Sequence, residues 1–137
     1  MIPMSARSTG LTKDAGWQVG VSRTLRQSPA TVWEFISGPR GLALWLGAGA
    51  RLTPERGTGY ETDAGARGEV RGYRPGDRIR VTYGDTTVQV AVSAAGGGRS
   101  VLVFHQERMA GPEERERQRA HWRRVMQQVV EALDRQT

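Results

Sequence analysis

The chain has 137 residues, 37% hydrophobic and 25% charged, which makes one domain with its own core, too short for two enzyme-sized domains and too apolar for wholesale disorder. It has no cysteine and only two histidines, His105 and His121, so a disulfide framework, a cysteine nucleophile and a thiolate metal site are excluded, and neither a metal nor a cofactor is expected. The net charge of +6 raises nucleic acid as a partner, but the arginines are scattered along the chain rather than clustered, and no nucleic-acid binding is expected.

No run approaches the roughly 18 apolar residues of a membrane span. The start, MIPMSARSTGLTKDAG, has no apolar core segment and so is not read as a secretory signal. The cytoplasm is the expected compartment. Residues 1–15 are polar and small and read as a flexible N-terminal segment ahead of a domain over 16–137.

The first strand follows, where Trp17, Val19 and Val21 alternate with polar or small residues and Leu25 closes the run. Ser28-Pro29 predicts a helix start, because serine caps well and proline suits the first helical position. Val32, Trp33, Phe35 and Ile36 supply its apolar stripe, and Ser37-Gly38-Pro39 ends it. Leu42, Trp45 and Leu46 predict a second short helix over about 40–45, broken by Gly47 and Gly49.

Strands are then predicted over 58–63, 68–74, 78–83, 86–94 and 100–109. Between them stand Asp63-Ala64-Gly65, Arg74-Pro75-Gly76-Asp77, Gly84-Asp85 and the triple glycine 96–98, all turn signals. Ile79, Val81 and Tyr83 share one face of their strand, and Val88, Val90 and Val92 one face of theirs, so the sheet has one covered and one wet side. The last strand is apolar on both sides, with Val101 and Val103 opposing Leu102 and Phe104, and alternation leaves its phase open.

From Pro112 onward, Trp122, Val125, Met126, Val129 and Leu133 repeat at three and four residues, an amphipathic helix of six to seven turns. Pro112 and the acidic Glu113, Glu114 and Glu116 suit its N-terminus. One long helix with one apolar stripe must cover one sheet, which makes an α+β domain.

The run SPATVWEFISGPRGLALWLG resembles the first helices of the START-like (SRPBCC) superfamily. With GEVRGYRPGDRIRVTY, GGGRSVLVFHQE and HWRRVMQQVVEAL, it is similar to the branch related to the C-terminal domain of the activator of heat-shock protein 90 ATPase. The resemblance covers about residues 16–137. It implies a helix-grip (START-like, Bet v-like) fold. A curved antiparallel sheet of about six to seven strands wraps the C-terminal helix, with two short helices after the first strand. It further implies an internal cavity that takes apolar ligands. It implies Val101, Val103 and His105 facing inward, leaving Leu102 and Phe104 outside as a candidate self-association patch for a homodimer.

The candidate cavity residues are Trp45, Tyr60, Tyr83, His105, Trp122 and Met126. Tyr83 and the two helix residues come from periodicity; Trp45, Tyr60 and His105 rest on the resemblance. Tryptophan and tyrosine join an apolar body to a polar handle, which suits a pocket that must bury and orient a ligand. His105 could act as acid or base, but Glu107, on the same face, is about 7 Å away along the strand and too far to orient it. His121 reads as a flank residue of the helix stripe. No serine stands in a G-x-S-x-G elbow, and no glycine run carries the lysine of a phosphate loop.

No catalytic residue is assigned. The expected function is binding of a small hydrophobic or amphipathic ligand between sheet and helix. Its alternatives are a cyclase or dehydratase acting on a polyketide-like substrate, and a chaperone-cofactor-like interaction module. Fold alone does not choose among them.

Overall fold

The computed structural model describes residues 11–12 and 16–136. Its strands are β1 (Leu11–Thr12), β2 (Gly16–Leu25), β3 (Gly59–Glu61), β4 (Arg67–Arg74), β5 (Arg78–Tyr83), β6 (Thr86–Ala94) and β7 (Ser100–Met109). Its helices are α1 (Pro29–Ser37), α2 (Pro39–Trp45) and α3 (Pro112–Gln136). Most of the expected N-terminal segment lies outside the described residues, but within it Leu11–Thr12 pairs with β2.

Among the described residues the strands form one antiparallel sheet in the order β1-β2-β7-β6-β5-β4-β3. Consecutive strands β3 to β7 are joined as a meander, and β2 closes onto β7 from the far end of the chain. α3 packs across β2 and β7, and α1 and α2 close the same side. This is the helix-grip α+β architecture.

Local chemistry accounts for the helix ends. The Ser28 hydroxyl accepts from the Thr31 amide at 3.2 Å, so α1 starts on a capped residue with Pro29 at its first position. Gly41 lets α2 fold back on α1: a Cβ there would stand 2.0 Å from the Phe35 carbonyl oxygen. At the other end of the core, α3 opens at Pro112 with Glu113 and Glu114 in its first turn.

The phase of β7 is the main correction to the sequence reading. Leu102 and Phe104 are fully buried, and Val101, Val103 and His105 lie on the opposite, half-buried face. The reason is register. Directly paired residues share a face, and β6 pairs Val88 with Gln106, Val90 with Phe104 and Val92 with Leu102. The valines face the core, so their partners do too. Phe104 then stacks on Trp122 of α3, with centroids 5.0 Å apart at 18°. The outward patch expected of Leu102 and Phe104 does not exist.

Candidate functional site

A cavity of about 390 Å³ opens between α2, the β5–β6 end of the sheet and the first half of α3. Ligand pockets run roughly 300–1,000 Å³, so this one suits a small molecule. Trp45, Tyr83, Val88 and Trp122 form the apolar part of its wall. Gln106, Gln118 and His121 form a polar part.

Each wall residue is held by its element. Trp45 ends α2, and its indole N–H donates to the Ile36 carbonyl at 2.9 Å, leaving only the ring for a ligand. Trp122 is buried between Phe104 and the cavity. Its Nε1 donates to Oε1 of Gln106 at 2.8 Å, and Nε2 of Gln118 donates to the same oxygen at 2.8 Å. Gln106 in turn donates through Nε2 to the Thr86 hydroxyl at 2.9 Å, which donates to the Tyr83 carbonyl at 2.6 Å. The chain of bonds fixes the amide orientation and joins β5, β6, β7 and α3 at one point. A buried polar network in which every partner is matched makes a rigid wall.

Tyr83 stands at the mouth, 38% exposed, the one large hydrophobic side chain that the described residues leave in solvent. His121 has an edge-on contact with the Trp122 ring and no hydrogen-bond partner among the described residues. Burial, and then the neighbouring Arg124, holds its imidazole below the usual 6.5. At neutral pH it is an uncharged group with one donor and one acceptor nitrogen. Among the described residues, no carboxylate and no arginine lines this cavity.

The six expected cavity residues divide evenly. Trp45, Tyr83 and Trp122 come together on the wall. Tyr60 and Met126 are buried in the core beside it. The Tyr60 phenol donates to the Thr82 carbonyl at 2.5 Å, and burial, with a smaller contribution from Tyr83, pushes its pKa up to about 12. It is therefore a structural hydrogen-bond donor, not a proton donor near neutrality.

His105 is on the other face of the sheet, because the β6–β7 register turns it away from α3. Its Nε2 lies 2.8 Å from Oε1 of Gln18. Burial lowers its pKa; Glu107 opposes this and Arg80 adds to it. The sequence reading missed Gln106, whose face depends on register, and Gln118. The second was findable: it precedes Trp122 by one helical turn and so shares its face. Among the described residues no cluster of histidine and carboxylate side chains could hold a metal.

The family model for activator of Hsp90 ATPase homolog 1-like proteins matches residues 26–134. The chain belongs to this family. That agrees with the resemblance carried by its first helices and last strand. No curated protein matches the chain.

Solved structures agree in fold. Protein MLL2253 from Mesorhizobium loti is 19% identical, with a TM-score of 0.69 over 88% of this chain and 98% of that one. DynU16, a protein of the dynemicin biosynthetic locus, is 22% identical, with a TM-score of 0.71 over 85% of this chain and 47% of that one. The Aha1 dimer from Colwellia psychrerythraea is 11% identical, with a TM-score of 0.69 over 85% and 95%. At these identities the likeness is one of fold. No described helix of this family member is long and apolar enough to cross a membrane.

Proposed function

We propose that this protein binds a small amphipathic molecule in the cavity beneath α2, with an apolar, ring-sized body and an uncharged hydrogen-bonding group. The observation that carries the reading is the division of the wall. Trp45, Trp122 and Val88 offer apolar surface, while Gln118 and the neutral His121 offer hydrogen bonds without charge. A charged ligand group would lose its hydration here and meet no opposite charge, so the wall favours neutral polar groups. The occurrence of a structural neighbour in a biosynthetic locus is in keeping with a small-molecule role.

Turnover with His105 as a cavity acid or base is set aside, because that imidazole lies across the sheet from the cavity. His121 is the one imidazole of the described wall, and no carboxylate or carbonyl among the described residues hydrogen-bonds to it as an orienting partner, which favours binding over catalysis. The family relationship favours a second reading, an interaction module for a protein partner.

Native mass spectrometry of freshly purified protein, repeated after denaturation, is the test. A stoichiometric adduct released by denaturation is expected. Ala43→Trp changes an exposed residue of the cavity wall. It should abolish the adduct and leave the melting temperature unchanged. No adduct, and no saturable binding across a broad panel of neutral amphiphiles, would overturn the reading and leave the protein-partner reading to a pull-down.

A further inference from the structure

A second cleft, of about 450 Å³, lies at the β5–β6 hairpin end of the sheet and is lined by Arg56, Arg71, Arg80 and Arg108 together with Asp85, Thr82, Thr86 and Thr87. Four arginines that are 15, 9 and 28 residues apart in sequence converge there.

Two of them are braced. Arg71 pairs with Glu69 at 2.6 Å, and Arg80 pairs with Glu107, whose side chain is only 12% exposed. The other two, Arg56 and Arg108, have no carboxylate partner among the described residues. Counting the bracing glutamates and Asp85, the cleft keeps an excess positive charge supplied by that unpaired couple.

Backbone irregularities aim the side chains. β4 carries an extra residue between Val70 and Gly72, and that residue is Arg71. β7 carries one between Gln106 and Met109, opposite the single Gln18 of β2. At this bulge Arg108 adopts φ +69°, the one non-glycine residue in the left-handed region among the described residues. A branched or long side chain is held there at an energetic cost, and bulges commonly re-aim a side chain at a functional site. Planar guanidinium groups fixed by carboxylates match the oxygens of a phosphate.

We propose that this cleft binds a free phosphorylated small molecule through its phosphate or pyrophosphate group, held by Arg56 and Arg108 against the braced Arg71 and Arg80. The cleft faces away from the apolar cavity: Arg80, Thr82 and Thr87 alternate with the core residues Val81 and Val88. Thr86 joins the two sites through its bond to Gln106, but none of the four arginines lines the cavity. Two unpaired guanidiniums set against one unpaired Asp85 leave one net positive charge, which attracts an anion.

Titration of the full chain with pyrophosphate at low ionic strength, followed by calorimetry and by amide chemical shifts, tests it. Saturable one-to-one binding is expected, with shifts at residues 84–87 and 108 and weakening on added salt. Arg108→Asn tolerates the left-handed backbone while removing the guanidinium. It should weaken binding by roughly tenfold or more, as expected for loss of a charge-assisted contact. Arg56→Gln should do the same, and both variants should melt no lower than the parent. Absence of saturable binding, or affinity unchanged in both variants, would overturn the proposal. So would shifts confined to another surface.

Discussion

The two histidines show how position in the fold assigns a role to a side chain. Alternation along β7 could not say which face His105 takes, and the β6 pairing turns it outward to Gln18. His121, read as a flank residue, lies on the cavity wall. Burial is the first cause that holds both below the ordinary value of 6.5. An unfolded chain regains that value and binds more protons below it. The stabilisation that comes from neutral imidazoles is therefore complete above pH 6.5 and is lost as pH falls through the folded-state values. The urea midpoint should drop between about pH 7.5 and about pH 5.5, and the drop should shrink in a His105→Gln, His121→Gln double variant. An unchanged drop would mean that other groups carry it. Gln106 teaches the same lesson. Its residue type says only that it is polar, whereas its three hydrogen bonds make it the joint between sheet and helix.

At the scale of elements, the helix and strand limits were largely legible. Arg78–Tyr83, Thr86–Ala94, Ser100–Met109 and the start of α3 at Pro112 fall where turn residues and periodicity put them. These signals are local, and local chemistry sets them. β3 is shorter than expected, Gly59–Glu61, because its strand-like residues run past the edge of pairing with β4. The α1–α2 elbow is not local in this sense. Alanine at position 41 would favour an isolated helix by roughly 1 kcal/mol. Its Cβ, however, would meet the Phe35 carbonyl at 2.0 Å, a contact that only backbone movement relieves. The clash wins, and Gly41→Ala should lower stability by roughly 1–3 kcal/mol in denaturant titration. A gain would show that the elbow can open without loss.

For the whole molecule, the reversed phase of β7 removes the expected basis for self-association. Leu102 and Phe104 lie inside, and of the described large hydrophobic side chains only Tyr83 is exposed. A stable dimer interface normally has an apolar centre. Sedimentation at high micromolar concentration is expected to give a monomer. A dimer would place the interface on a polar face.

Charge is also settled at this scale. The arginines look scattered in the sequence, and that scattering argued against a phosphate-binding face. Folding gathers four of them, from the loop before β3 and from β4, β5 and β7, around one cleft. Sequence separation is no measure of distance in a meander whose strands lie side by side.

By itself, the sequence determined the α+β class, the element order from β2 onward, the caps and turns and the stripe of α3. These depend on side-chain periodicity and on residues with restricted or permissive backbones, both of which act over a few positions. Tertiary structure alone decided the face of His105, the interior place of Phe104 and Leu102, the Gln106 network and the convergence of the arginines. Each depends on how strands pair with their neighbours in the sheet, and a shift of one residue in register exchanges the two faces of a strand.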